Sequence, residues 1–347
     1  MNLSILIGIV LIAIGAFSSG SFAVPFGKIR GWQWESYWLV FSLAAYIVFP
    51  LLANLAFSPD FVAIYRSTPL ETIVTVFLLG VIYGVGNLSF GLALRYLGLS
   101  LGYALSLGLM LAIGTLVPPL LDGRLHLMMQ NTAGTLLILG VAVACVGIAL
   151  SAWSGILKDK PVSDINKQKS TSEFNLIKGA MASVLVGITG SAMSLGFEEG
   201  YPISKIATEH GVDPLFSIIP VLMVLFSGTF FTTIIWCLYL GFQNNLLKDY
   251  FTAKSVKVQT SNYLFCFLAG VLWFGQFIVY GMGKSKMGPF TFTSWGILMA
   301  LTIVFATVWG LFRKEWKGAT TKVYVIMILS QAIIIASSFL IGISGSV

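Results

Sequence analysis

Ten long apolar runs, separated by polar connections, constrain this chain more than any other feature. A helix needs about 20 apolar residues to cross the hydrocarbon core of a bilayer, and each run is about that long. The runs are Leu3–Val24, Tyr37–Phe57, Leu70–Leu92, Leu99–Leu120, Ala133–Trp153, Leu176–Phe197, Pro214–Gly241, Ser261–Met282, Thr291–Phe312 and Val323–Ile343. Only 10% of the residues are charged, against about 25% in soluble domains. The pattern predicts an all-α polytopic membrane protein of ten transmembrane helices, because a β-barrel would show alternating segments of about 10 residues.

A hydrophilic stretch at 154–175 divides the ten predicted helices five and five. An odd number per half gives the halves opposite orientations, as in inverted-repeat transporters. At an offset of 190 residues, Gly80-Val81-Ile82-Tyr83 aligns with Gly270-Val271-Leu272-Trp273, and Gly98 aligns with Gly288. A chance match in a glycine-rich apolar chain is the alternative. We therefore expect two inverted five-helix repeats, at 1–153 and 176–347, joined by a cytoplasmic linker at 154–175.

The basic residues are distributed unevenly between the two sides of the predicted membrane. If the runs alternate in direction, one side receives only five of the 20 Lys and Arg residues: Arg66, Arg124, Lys205, Lys284 and Lys286. The positive-inside rule assigns the other 15 to the cytoplasm, which puts both termini outside. This bias explains the net charge of +7 without a nucleic-acid partner. We expect the chain to lie in the bacterial cytoplasmic (inner) membrane, in contact with the lipid bilayer.

Two amide side chains lie inside apolar runs, although lipid offers an amide no hydrogen-bond partner. Asn87 follows Tyr83 by four residues in the third run, and Gln276 follows Trp273 by three in the eighth. Each spacing puts an aromatic ring and an amide on one helix face. Because an amide donates and accepts hydrogen bonds and a ring can lie against sugar C–H groups, these pairs favour a neutral, hydroxyl-rich solute. The alternative is an interhelical hydrogen bond that only holds the helices together.

Several other residues are weaker candidates for contacts with the same solute. Ser19 and Ser191 belong to hydroxyl clusters in the first and sixth runs, and Ser294-Trp295 opens the ninth. Small hydroxyl residues also serve close helix packing and often bond to their own backbone, so packing is the alternative for both serine clusters. Tyr103 in the fourth run is a further cavity candidate.

Glu198, at the end of the sixth run, is the candidate for proton coupling. Ionisable residues at membrane depth are functional candidates by default, and a carboxylate facing a cavity there could take up and release a proton. A solvated cap at the outer surface is the alternative. The sequence leaves open whether Na⁺ replaces H⁺, and it does not specify an oligomeric state.

Catalytic and cofactor motifs do not occur in the sequence. It contains no His-Glu-x-x-His and no Gly-x-Ser-x-Gly, and its two histidines fall at the ends of apolar runs. There is no His and Cys cluster for a metal. We therefore predict that the protein is not an enzyme and has no cofactor, with a proton as the coupling ion.

Several motifs, in order along nearly the whole chain, resemble the L-rhamnose–proton symporters, a branch of the drug/metabolite transporter superfamily. The motifs are Phe22-Ala23-Val24-Pro25-Phe26, Trp32-x-Trp34-Glu35, Gly86-Asn87-Leu88-Ser89-Phe90-Gly91, Arg95-Tyr96-Leu97-Gly98-Leu99-Ser100-Leu101-Gly102, Gly114-Thr115-Leu116, Gly211-Val212-Asp213-Pro214-Leu215, Leu272-Trp273 with Gln276-Phe277, Ser294-Trp295 and Lys314-Glu315-Trp316. Two positions depart from the family pattern. Glu198 stands where we expect Asn, and the histidine expected after the eighth helix is replaced around Gly283-Lys284.

The resemblance implies ten helices in two inverted halves, a cavity between them, and proton-driven uptake of a deoxyhexose. We therefore predict a secondary active transporter that imports a deoxyhexose, L-rhamnose foremost, by alternating access. Tyr83, Asn87, Trp273 and Gln276 are the main predicted sugar contacts. A related transporter with another solute or direction, either an exporter or a facilitator, is the alternative. A membrane sugar sensor is a more distant one, because the connections are too short for a signalling domain.

Overall fold

The computed structural model describes residues 3–121, 126, 129–159, 175–251, 255–288 and 294–344, and every regular element in these ranges is helical. The first half contains α1 (Leu3–Ser21), α2 (Trp34–Leu43), α3 (Phe49–Phe57), α4 (Phe61–Ser67), α5 (Leu70–Leu121) and α6 (Thr132–Asp159). The second half contains α7 (Leu176–Gly190), α8 (Ala192–Glu199), α9 (Tyr201–Glu209), α10 (Ile219–Gln243), α11 (Val256–Lys286), α12 (Ser294–Phe312) and α13 (Thr321–Ser344). Most of the predicted linker, 160–174, lies outside the described residues.

Nine helical segments within the described ranges are long and apolar enough to cross a membrane. The third, Leu70–Ile113, has 44 residues, which is about twice the number of helical residues that one crossing of the hydrocarbon core needs. The α5 helix is interrupted at Gly98, whose φ of 77° and ψ of 179° are not helical. The predicted all-helical, multi-pass membrane architecture is confirmed.

The surface of the bundle is apolar, as a lipid-facing surface must be. On α1, Leu3, Val10 and Ile14 are exposed, whereas Ile12 and Ala16 are fully buried. A soluble monomer would not expose contiguous apolar side chains of this size. One face of α1 therefore meets lipid and the other meets protein.

The two halves of the chain are interleaved rather than placed side by side. The α1 helix packs on α11 and α12, α7 packs on α5, α10 packs on α2 and α5, and α6 packs on α13. Glycines allow the close approaches, since a Cβ added at Gly8 of α1 would lie 3.0 Å from the carbonyl oxygen of Gly283 in α11. The α1, α5, α7, α11 and α12 helices consequently surround one central region.

Two of the predicted runs contain local breaks that hydropathy does not reveal. The second run continues from α2 into α3 through a π-helix at Ala44–Val48. The sixth is divided into α7 and α8 at Ser191. Both breaks lie close to the centre of the bundle, where π-turns and interrupted helices commonly accompany functional sites.

Candidate substrate site

A central cavity lies between the two halves of the chain. It is lined by six of the eight predicted sugar contacts, which are Ser19, Tyr83, Asn87, Trp273, Gln276 and Trp295. Its volume is about 40 Å³, which holds water but not a hexose ring. Binding of a sugar therefore requires the lining side chains to move apart.

Asn87 is held in one orientation by a tyrosine on another helix. Its side-chain oxygen accepts a hydrogen bond from the hydroxyl of Tyr46, a fully buried residue of the π-helix. The Tyr83 hydroxyl also interacts with the Asn87 side chain. Because Tyr46 occupies the amide oxygen, the amide nitrogen is the group that Asn87 can direct toward a ligand oxygen.

Tyr46 also contacts the second aromatic–amide pair. Its ring meets the Trp273 ring edge-on at a centroid distance of 4.7 Å and an angle of 75°. Gln276 donates from Nε2 to the Trp273 carbonyl oxygen at 2.8 Å, so its side-chain oxygen is its acceptor for a ligand. Sequence reasoning missed Tyr46, because nothing distinguishes it from other tyrosines in apolar runs until the helices are assembled.

Aromatic rings close the cavity toward the end of α8. Trp295 meets Tyr280 edge-on at 5.7 Å and Phe197 at 6.1 Å, and Phe197 also meets Phe277 at 6.4 Å. Beyond this cluster, exposed Glu198 interacts electrostatically with half-buried Lys284. The cavity lining as described does not include Glu198, and its role in proton coupling stays a prediction.

Two predicted serine contacts do not line the cavity. Ser191 donates to the Ile188 carbonyl oxygen at 2.8 Å, at the break between α7 and α8. Ser294 is fully buried beside Trp295, and its hydroxyl has no hydrogen-bond partner among the described residues. Their participation in sugar binding stays a prediction. The weaker candidate Tyr103 does line the cavity, and it donates to the Ser19 carbonyl oxygen at 2.8 Å.

A vestibule of about 670 Å³, wider than the central cavity, lies on the side of the cavity away from α8. It is lined by Arg95, Arg313 and Glu315, on the side that the charge distribution predicts to be cytoplasmic. The rings of Phe22 and Phe90 line the central cavity and lie 6.2 Å apart, and their chain neighbours line the vestibule. We call these two rings the inner aromatic layer.

A cavity lined by aromatic rings and two buried amides between interleaved helical halves, with a vestibule on one side, is typical of a multi-pass membrane transporter. No cluster of metal-binding side chains occurs in the described ranges. The chain belongs to the family of the L-rhamnose-proton symport proteins, whose family model matches residues 1–346. The resemblance proposed from the sequence motifs is thereby confirmed, as is the expectation of a transporter rather than an enzyme.

Individual relatives cover the full length of the chain. The L-rhamnose-proton symporters of Yersinia pestis (strain Pestoides F) and Yersinia pseudotuberculosis (strain YPIII) are each 32% identical to it over 346 residues. The matches span 99% of this chain and 98% of each relative. The matched region therefore spans both halves of the chain and the positions that line the cavity.

Proposed function

We propose that this protein imports L-rhamnose together with protons across the bacterial cytoplasmic membrane. Family membership and the names of its full-length relatives support this solute and this coupling ion. The observation that carries the proposal is the central cavity, where buried Asn87 and Gln276 lie beside the rings of Tyr83 and Trp273. A 6-deoxyhexose presents both hydroxyl groups and an apolar methyl-bearing edge, which such a lining can match.

The proposed cycle is alternating access around this cavity. The lining would open toward the outside to admit sugar and proton, close around them, and then open through the inner aromatic layer into the vestibule. The Asn87 nitrogen would donate to a sugar oxygen, and the Gln276 oxygen would accept from a sugar hydroxyl. Ser19, Ser191, Ser294 and Trp295 are proposed as further contacts, and Glu198 as the carboxylate that takes up the proton on the outer side.

The proposed architecture is ten spans in two inverted repeats, at 1–153 and 176–347. Gly98 and Gly288, which the offset of 190 residues aligns, both have a left-handed φ, of 77° and 57°. Contacts between helices also support the symmetry. The α1 helix, which precedes all others in the first half, packs on α11, and α7, which begins the second half, packs on α5. On this proposal, residues 70–97 and 99–121 of α5 are separate spans.

Uptake of labelled L-rhamnose, in cells that lack their own carrier, tests the function. We expect the sugar to accumulate against its gradient while the medium becomes alkaline, and an uncoupler should abolish the accumulation. Uptake that only equilibrates would indicate a facilitator, and extrusion of the sugar against its gradient would indicate an exporter. Absence of transport with well-expressed protein in the membrane would reject L-rhamnose as the solute.

A further inference from the structure

One part of the central cavity lining carries only apolar side chains. Leu107 and Met110 of α5 line the cavity together with Val186 of α7, and all three are at least nine-tenths buried. Leu107 and Met110 are three residues apart, so they share one helix face. We call these three side chains the apolar wall.

Close packing of α7 on α5 makes the apolar wall continuous. A Cβ added at Gly190 would lie 2.8 Å from the Met110 sulfur, and one added at Gly187 would lie 2.9 Å from the Leu109 Cβ. Gly190 follows Val186 by four residues, on the same face of α7. The Met110 side chain therefore lies against the backbone of α7, one helical turn from Val186.

The hydroxyl groups nearest to the apolar wall in the sequence are bonded within the protein. The fully buried hydroxyls of Ser106 and Ser183 lie 2.9 Å apart and bond to each other. The Thr189 hydroxyl donates to the Leu185 carbonyl oxygen at 2.7 Å. A ligand hydroxyl that points at the apolar wall therefore finds no side-chain partner there in the part of the chain that the structure describes, and a buried hydroxyl without a partner is unfavourable.

The two amides of the cavity come from other segments than the apolar wall. Asn87 precedes the interruption of α5 at Gly98, and Gln276 lies on α11. Tyr46 connects them, since it bonds to Asn87 and its ring contacts Trp273. The α7 helix, by contrast, packs chiefly on α5. A sugar that binds the two amides through its hydroxyl groups can therefore present its remaining edge to the apolar wall.

We propose that the apolar wall is the subsite for the C6 methyl group of the sugar, and that Met110 and Val186 select a 6-deoxyhexose over the same hexose with a hydroxyl at C6. This inference rests on the proposed import of L-rhamnose. A methyl group gains free energy by leaving water for an apolar site, whereas a C6 hydroxyl would lose its hydrogen bonds to water and form none with the wall. Because methionine is flexible, Met110 can move aside when the cavity enlarges to admit the sugar.

A comparison of two sugars tests the subsite, because L-mannose differs from L-rhamnose only by a hydroxyl at C6. Initial uptake rates of both labelled sugars, in cells that lack other carriers for them, give the ratio of maximal rate to KM for each. The preference for one sugar over the other does not depend on the amount of protein. The unmodified protein should prefer L-rhamnose by about 10- to 100-fold, as apolar pockets discriminate against an added hydroxyl. Equal transport of the two sugars would overturn the proposal.

Met110→Gln keeps the length of the side chain and adds an amide that can bond to a C6 hydroxyl. The preference for L-rhamnose should fall by about fivefold or more, the equivalent of one hydrogen bond. Met327→Gln is the matched control, because Met327 is a buried methionine of α13 outside the cavity lining. It should keep the preference of the unmodified protein. An active Met110→Gln protein with an unchanged preference would contradict the assignment.

A second variant decides the case in which Met110→Gln loses all transport. Val186→Thr replaces a methyl group by a hydroxyl of similar size, and its oxygen can accept from a C6 hydroxyl even while it donates to the helix backbone. The preference for L-rhamnose should fall in Val186→Thr and stay in place in Val141→Thr, a fully buried position of α6 outside the cavity lining. Equal preferences in these two variants would reject the subsite. Transport of neither sugar by the unmodified protein would overturn the proposed function together with this inference, whereas transport of L-rhamnose without a preference would overturn this inference alone.

Discussion

At the scale of single residues, the orientation of Asn87 depends on Tyr46. The tyrosine hydroxyl occupies the amide oxygen, so a ligand in the cavity meets an N–H donor rather than an acceptor. Tyr46 itself does not line the cavity. Its influence on a sugar would be exerted through the direction of the Asn87 amide and through its contact with Trp273.

Tyr46→Phe removes the hydroxyl while keeping the ring in place. The Asn87 amide loses the contact that sets its orientation, at a cost of about 1 kcal/mol for one hydrogen bond, so the KM for L-rhamnose should rise about fivefold. The concentration dependence of initial uptake rates measures this. Tyr65→Phe is the control, because it loses a half-buried tyrosine hydrogen bond to the Pro220 carbonyl oxygen outside the cavity lining. Equal KM values for the two variants would argue against a positioning role.

Asn87→Ala should reduce uptake of L-rhamnose by more than tenfold, with the protein still present in the membrane. The change removes the donor to the sugar and leaves the buried Tyr46 hydroxyl without its acceptor, which costs about 1–3 kcal/mol. Initial rates together with immunoblots of the membrane fraction make the measurement. Retained uptake would remove Asn87 from the set of sugar contacts.

Asn87 and Gln276 could be predicted from the sequence because an amide side chain is unusual inside an apolar run. Tyr46 could not be found in this way. It is one of 12 tyrosines, and its bond to Asn87 joins residues 41 positions apart. Ser191 was predicted from its place in the hydroxyl cluster of the sixth run, whereas in the structure its hydroxyl donates to the Ile188 carbonyl oxygen at the helix break. Local pattern identifies unusual residue types, whereas their partners depend on the packing of helices.

At the scale of helices, α5 and α10 are in backbone contact. A Cβ added at Gly80 would overlap the Leu225 carbonyl oxygen, and one added at Gly228 would overlap that of Phe77. The Thr229 hydroxyl adds a bond to the Gly80 carbonyl oxygen at 3.1 Å. The Gly80-x-x-x-Gly84 spacing in the sequence is typical of close helix packing, but it does not indicate which helix is the partner.

Gly80→Ala should therefore push α5 and α10 apart and lower stability by about 1–3 kcal/mol, as overpacking does. Thermal unfolding of the purified protein in detergent, followed by loss of monodisperse material, measures the effect. Gly241→Ala on α10 serves as the control, because a Cβ there meets nothing within 4 Å. A melting temperature of Gly80→Ala equal to that of the control would show that the interface tolerates the extra methyl group.

At the scale of the whole molecule, hydropathy was sufficient to predict the class of architecture. It placed a boundary between the third and fourth runs, but it could not show that the boundary is a single non-helical residue, Gly98, within α5. It also could not show which helices pack together. The interleaving of α1 with α11 and of α7 with α5 joins segments that no local pattern relates.

The charge distribution predicts that both termini lie outside. A fusion of alkaline phosphatase to the C-terminus should therefore be active, and a fusion of a fluorescent protein that matures only in the cytoplasm should be dark. Fusions placed after α9 should give the same pair of results, since Lys205 lies on the side poor in basic residues. The opposite pattern at both positions would reverse the assignment and place the vestibule outside.

The interleaved packing of α1 has a consequence for how the protein is made. The Ser18 hydroxyl bonds to the Leu272 carbonyl oxygen, 254 residues further along the chain. At roughly 5–20 residues per second, a ribosome needs roughly 13–50 s to supply that partner. Throughout this interval α1 lies in the bilayer or beside the insertion machinery, and its glycine-lined face is not yet covered by α11. A nascent chain that stops before α11 leaves an orphaned helix, which membrane proteases can recognise as unfinished.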